Sequence, residues 1–343
     1  MTTQVSHTKD SKQNHSLQAV WLLCCLSLIS SYSNAVCSSK YKLIKINISD
    51  KIYLNNLDRQ ELREYIMNSE HISKSQVENV WRTYMTTGEV PEDVPSFWYH
   101  SKSLKYLARM LPSDPRCAVC YYPFSGLGGT LTRSLFGLER SKMNPRLCNV
   151  CEKFAVTYQG GAEIEISMLF ADVRGSTGLA EGMSAIEFSR LIDRFYAVAT
   201  RALYNRYAFV ENLAGDGVAG FFTPGFAGEH HAQAAIETGE EILRATGHAD
   251  RAGPWIPVGV GVHTGIAYVG SVNRGSGAAD ISVLGDTVNV AARISSQAAA
   301  GEMLVSSSAI SGMVAERESW SKKHLELKGR QEPIDVWGMK ISG

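Results

Sequence analysis

The sequence predicts an α+β fold for the part of the chain beyond Gly160-Gly161, preceded by a helical segment and a small cysteine-rich one. Three observations carry this. Apolar side chains switch between period two and helical spacing in the order strand, helix, hairpin, helix, strand. Gly215-Asp216-Gly217 separates two short β-rich runs as a hairpin turn would. Two Cys-x-x-Cys pairs stand together just upstream. The order of elements is that of a ferredoxin-like βαββαβ core with C-terminal additions. The chain divides into a tail at 1–57, a helical segment at 58–114, a cysteine module at 115–156 and a large domain at 160–340.

Residues 1–57 are rich in Ser, Lys, Asn and Ile and carry an apolar run from Ala19 to Ile29 behind Lys9 and Lys12. With Ser33-Asn34-Ala35 after it, the run has the outline of a secretory signal. It is shorter than the about 20 apolar residues of a spanning helix. The tail is read as poorly ordered, with membrane association as the alternative. In the helical segment Val77, Val80, Trp81 and Tyr84 share one face. Leu104, Leu107, Ala108 and Leu111 share another, which Pro112 ends, and Gly88 to Pro95 reads as a loop.

In the large domain Ile164, Ile166, Met168 and Phe170 line a strand ending at Asp172. Phe188, Leu191, Ile192, Phe195 and Val198 repeat at helical spacing. Tyr207 to Leu213 and Val218 to Phe222 form the hairpin. A second helix carries Ala235, Ile236, Gly239, Ile242 and Leu243, with His230-His231 at its start read as solvated. A strand at Val258 to His263 and a return strand at Ala267 to Val272 come next, then a short one near Ile281 to Leu284. A helix over Thr287 to Ala298 has Asp286 as its expected N-cap. Met303 to Ser306 is a strand, and His324 to Lys328 with Ile334 to Met339 a last hairpin.

Composition narrows the function. The 343 residues carry 34 Lys+Arg against 34 Asp+Glu, so no whole-chain basic field exists to hold nucleic acid, and none is expected as a partner. The stretch from Arg133 to Lys142 sustains a rival reading, a zinc-ribbon nucleic-acid binder. Of seven cysteines, Cys24, Cys25 and Cys37 lie in or beside the apolar run, and Cys117, Cys120, Cys148 and Cys151 form the two pairs. That distribution is unlike a disulfide framework and fits a reducing compartment with one four-thiolate site. Structural Zn²⁺ is the first expectation, although the gap between the pairs exceeds the usual ~15–20 residues. An iron–sulfur cluster and a redox dithiol are the other options. Ser125-Gly126-Leu127-Gly128-Gly129 lacks the Lys-Ser/Thr ending of a phosphate loop and reads as a turn.

Asp172 at the end of a buried strand is well placed for a hard cation. The small residues Gly175, Ser176 and Thr177 let backbone N–H groups approach phosphate oxygens as the next helix begins. If the hairpin pairs beside the first strand, Asp216 at its tip faces Asp172. One or two carboxylates plus substrate phosphates is how Mg²⁺ is held in phosphoryl-transfer sites.

The runs Phe170-Ala171-Asp172-Val173-Arg174-Gly175-Ser176-Thr177, Gly215-Asp216-Gly217 and Leu284 through Arg293 (Leu-Gly-Asp-Thr-Val-Asn-Val-Ala-Ala-Arg) resemble the three signature blocks of class III adenylyl/guanylyl cyclase catalytic domains. The resemblance covers roughly 160–340. It implies that Asp172 and Asp216, with the Val173 carbonyl, hold two Mg²⁺ or Mn²⁺ ions. Asn289 would orient the ribose, and Arg293 would stabilise charge on the α-phosphate. Asn289 and Arg293 are four apart and share a helix face. Lys328 falls where the family often has a lysine for the terminal phosphates. The family's carboxylates come from one protomer and its Asn and Arg from the other, so this chain, carrying both sets, is expected to work as a homodimer.

The departures lie at the base. Adenylyl cyclases commonly have Lys three residues before the Gly of the turn and Asp or Thr seven before the Asn, where guanylyl cyclases have Glu and Cys. Here those positions are Asn212 and Ser282. Either side chain can donate or accept. The resemblance favours ATP over GTP as substrate, because most bacterial-type members of the family make cyclic AMP. The expected product is a cyclic 3′,5′-monophosphate with pyrophosphate, made in the cytoplasm, since export would separate the enzyme from its nucleotide. A silent nucleotide-binding dimer is the other rival, and all four site residues it would have lost are present. The cysteine module, next to the first strand, is expected to set dimer geometry.

Overall fold

The second half of the first strand of the large domain, from Met168 to Ala171, is apolar on both faces, and that decides where it sits. In the computed structural model β1 (Gly161–Val173) lies mid-sheet. The structure describes residues 72–341 except 95, 97–99, 274–278, 312–319 and 327–332, and the side chains of 102, 103, 212–214 and 273 are left aside. The expected tail at 1–57, and Lys328, lie outside the described residues.

Upstream come α1 (Lys74–Thr87), α2 (Lys102–Met110), α3 (Gly126–Phe136) and α4 (Asn149–Thr157). After β1 follow α5 (Ser176–Glu181), α6 (Ala185–Asn205), β2 (Phe209–Ala214), β3 (Gly217–Phe222), α7 (Pro224–Ala227), α8 (His231–Ala245) and β4 (Val258–Asn273). The chain continues through β5 (Ala279–Leu284), α9 (Asp286–Gln297), β6 (Glu302–Ser306), α10 (Ser307–Ser311), β7 (Ser321–Leu325) and β8 (Ile334–Lys340).

The sheet runs β2-β3-β1-β4-β6-β8-β7, with β5 also on β4. Its first four strands are antiparallel throughout, in the ferredoxin-like order expected from sequence. Ile164, Ile166 and Met168 face one core with Trp81, Tyr84 and the four cysteines. Leu169, Ala171 and Val173 face the other, with Ile192 and Phe195 of α6 and Ile236 of α8. Capping boxes at Ser73/Gln76 and Ser184/Glu187 start α1 and α6 by satisfying N–H groups that a helix leaves without partners. Trp81 pins α1 by donating its indole N–H to the Tyr158 carbonyl at 2.7 Å.

Five local expectations are corrected, the first at Gly126-Leu127-Gly128-Gly129, which was read as a turn and opens the helix α3 with Ser125 as its N-cap. The hairpin expected at Val258–Val272 is one continuous strand, β4. Its first half pairs in parallel with β6 over Val260–Val262, and its second half pairs antiparallel with β5 over Tyr268–Asn273. Two glycines of β4 lie where α9 rests directly on the strand. A Cβ on Gly261 would stand 2.3 Å from the Ser295 nitrogen, and one on Gly265 would stand 2.8 Å from Thr287 Oγ1. His231 is buried, 5% exposed, with Nδ1 2.9 Å from Ser167 Oγ, while His230 is exposed as expected. The N-cap of α9 is Gly285, and Asp286 is the first residue of the helix. Leu107 is 44% exposed, although Ala108 and Leu111 on the same expected face are buried. No helix among the described residues is long and apolar enough to cross a membrane.

Candidate active site and four-cysteine centre

Asp172 ends β1 between two glycines, paired with Gly217 of β3 and Gly259 of β4. The neighbouring Val173 N–H donates to the Asp216 carbonyl at 3.1 Å, which fixes the hairpin tip against the end of β1. From α6 the Tyr196 hydroxyl donates to the Gly215 carbonyl at 2.8 Å and holds the same turn. The two aspartates the sequence singled out are thereby brought together. The Asp172 carboxyl is raised above its ordinary 3.8, first by burial and further by the Asp216 charge, while Arg174 opposes the rise. A second carboxylate beside Asp172 at a half-open strand end suits a divalent cation. The Asp172 side chain is 38% exposed, so the site stays open to a ligand.

Arg174 belongs to this site, although the sequence reading used it only as part of a motif. Its Nη2 lies 3.0 Å from Asp172 Oδ2, and its Nη1 donates to the Ser296 carbonyl at 3.3 Å. It ties the carboxylate to the last turn of α9. Gly175 is the N-cap of the short α5, which begins at Ser176 and Thr177; Gly175 and Thr177 are exposed and Ser176 is half-buried. On α9, Thr287, Val290, Ala291, Ile294 and Ser295 are buried. That burial turns Asn289 outward and exposed, with Arg293 half-exposed one turn on.

Of the two positions the sequence assigns to the base, Asn212 lies on β2 opposite Ala219. Ser282 on β5 is 9% exposed and donates its hydroxyl to the Glu211 carboxylate. Glu211 was missed from sequence. An irregular register between Val210 and Asn212 places it there, and strand alternation alone does not show a bulge.

The cysteine module packs against the same region, sharing a core with Ala279, Ile281 and Val283 of β5. The sulphurs of Cys117, Cys120, Cys148 and Cys151 all lie within 4.8 Å of one another, and all four residues are buried and free. Cys120 and Cys148 are 3.6 Å apart, the Cys148 N–H donates to the Cys117 sulphur, and the Cys151 N–H donates to the Cys148 sulphur. A tetrahedral centre with metal–sulphur bonds of about 2.3 Å has an edge of about 3.8 Å, so the four thiols fit one ion. Burial pushes the Cys120 and Cys151 thiols well above the usual thiol range, a cost that a bound cation would reverse by holding thiolates.

Residues 160–339 match the family model described as the adenylate and guanylate cyclase catalytic domain. The chain belongs to this family. The matched span begins at the strand carrying Asp172 and runs through the helix carrying Arg293. An adenylate cyclase of Anabaena cylindrica is 29% identical over 224 residues, covering 61% of this chain and 44% of that protein. An uncharacterized protein of Mycobacterium tuberculosis is 30% identical over 183 residues, covering 51% of this chain and 31% of that one. The chain thus spans less than half the length of these curated relatives. Among solved structures, the guanylyl cyclase Cya2 superposes with a TM-score of 0.48 at 23% identity, covering 54% of this chain and 96% of that one. The adenylyl cyclase CyaB of P. aeruginosa gives 0.44 at 23% identity, covering 52% and 94%.

Proposed function

We propose that this cyclase domain converts ATP to cyclic 3′,5′-AMP and pyrophosphate at a homodimer interface, with Mg²⁺ or Mn²⁺ held by Asp172, Asp216 and the Val173 carbonyl. The observation that carries the reading is the clamping of Asp216 against the end of β1 through the Val173 N–H, which makes one carboxylate site of two distant sequence motifs. In the reaction the 3′-hydroxyl loses its proton, its oxygen bonds to the α-phosphorus, and the bond to the pyrophosphate oxygen breaks. Divalent ions there lower the hydroxyl pKa and neutralise the triphosphate. Arg293 pairs its planar guanidinium with the α-phosphate oxygens as their charge grows. Asn289 orients the ribose so that the 3′-oxygen lies in line with the leaving group. Arg174, which holds both Asp172 and the end of α9, would keep its hold on α9 when Asp172 binds a cation. Asn289 and Arg293 point outward from the sheet that carries the aspartates, which favours a second copy completing the site. The cytoplasm supplies the substrate.

One observation favours a second reading, GTP. The Glu211 carboxylate that accepts from Ser282 offers two acceptors side by side, matching the N1–H and N2–H₂ donors of guanine. Adenine presents one donor and one acceptor on that edge. Purified protein should be offered each nucleotide separately with Mg²⁺ or Mn²⁺, with Asp172→Ala as control. Cyclic AMP lost in the variant supports the first reading, and cyclic GMP alone supports the second. No cyclic product from either nucleotide, with a dimer present, would leave a silent nucleotide-binding dimer.

A further inference from the structure

Arg146 joins two regions that the cyclase reaction treats separately. It sits in the loop between the cysteine pairs, and both pairs hold that loop. Its carbonyl accepts from the Ala118 N–H at 2.9 Å, and two residues on, the Cys148 N–H donates to the Cys117 sulphur. From there the guanidinium crosses to the sheet. It donates to the Val210 carbonyl, and to the Glu211 carbonyl at 3.4 Å, both on edge strand β2. On β5 it meets Asp280 at 3.1 Å, a carboxylate only 5% exposed. Asn144, from the same loop and itself buried, donates to the Ala279 carbonyl of β5 at 3.0 Å.

β2 and β5 are not neighbours in the sheet, since β3, β1 and β4 lie between them. Their contact is made by side chains, Glu211 to Ser282 and Arg146 to both strands. They also carry Asn212 and Ser282, the positions read as facing the base. An edge strand has carbonyls that no further strand satisfies. Here the loop of the cysteine module supplies those donors, and it can do so only while both Cys-x-x-Cys turns keep their shape.

We infer that Cys117, Cys120, Cys148 and Cys151 bind a single zinc ion, and that the zinc-held loop sets the spacing of β2 and β5 through Arg146 and Asn144, so that nucleotide recognition depends on metal loading. Sulphurs this close enclose one ion; a cluster of two or four irons would hold them farther apart. The coupling to recognition rests on the cyclase reading, whereas zinc binding and strand spacing do not.

The experiment is metal analysis of the full chain purified under reducing conditions, followed by amide hydrogen exchange before and after zinc is extracted with a mercurial and a chromogenic chelator. The expected result is one zinc per chain, released with four thiols. Exchange should then rise in β2 and β5 while the β7–β8 hairpin is unchanged. Because Cys117→Ser/Cys120→Ser removes two core side chains, Arg146→Met serves as the second variant. It should keep its zinc yet show the same raised exchange in β2 and β5, with a severalfold higher KM for the nucleotide and a smaller change in kcat. Iron in place of zinc, no metal, or unchanged exchange in β2 and β5 after extraction would overturn the inference. A chain that binds zinc and shows the exchange pattern but turns over neither nucleotide would sink the cyclase reading alone.

Discussion

The two candidate metal centres of this chain are built in opposite ways. The aspartate pair stands at the end of a strand, part-exposed, and is positioned by a hydrogen bond from the backbone of the buried Val173. The four cysteines are sealed in the core beside Trp81 and Phe154. A site that must admit a triphosphate has to keep open coordination positions and tolerate like charges close together. A site that only holds shape can be closed on all sides. The comparison shows that residue chemistry proposes a metal, and that burial tells what the metal is for.

The largest expected effect breaks the open site alone. Arg293→Ala should lower turnover by about 10³-fold or more, as the loss of a transition-state arginine does elsewhere. Mixing it with Asp172→Ala should restore part of the activity, because one intact site forms in the mixed dimer. Inactive mixtures with confirmed subunit exchange would refute the shared site. Next, the two centres should part on metal removal. Brief EDTA treatment should abolish turnover, reversibly with Mg²⁺, and leave the thermal midpoint nearly unchanged. Extraction of the thiol-bound metal should lower the midpoint. Equal shifts in both cases would erase the distinction drawn here.

A smaller effect is expected where the two regions share support. Gly261→Ala places a Cβ against the Ser295 backbone and should cost about 1–3 kcal/mol, read by denaturant unfolding. It should also reduce turnover by tilting α9, which carries Asn289 and Arg293. The smallest concerns His231, whose imidazole burial holds below its ordinary 6.5. The unfolded chain takes up that proton first. The contribution of the neutral ring is therefore complete above pH 6.5 and is lost as pH falls through the folded-state value. His231→Gln should flatten the acid side of the stability curve, and an unchanged slope would assign that slope to other groups.

The order of elements, the strand ending at Asp172, the hairpin at Gly215-Asp216 and the cysteine pairs were legible in the sequence because each depends on neighbours a few residues away. Periodicity, turn chemistry and Cys-x-x-Cys spacing are local signals. The helical pitch that sets Arg293 one turn beyond Asn289 is local too.

What tertiary structure decided depends on contacts between distant residues. The sequence divided β4 between His263 and Ala267, and only the approach of α9 shows that Gly261 and Gly265 serve a helix lying on one continuous strand. His231 looked solvated beside His230 until Ser167 and Glu165 of β1 were seen against it. Glu211 reached Ser282 through a bulge that alternation does not encode, and Arg146 found its carbonyls on a strand more than sixty residues away. The sequence by itself determined which elements form and which residue types could hold metal. The tertiary structure decided which of them meet, because side-chain reach across a sheet is set by packing rather than by position in the chain.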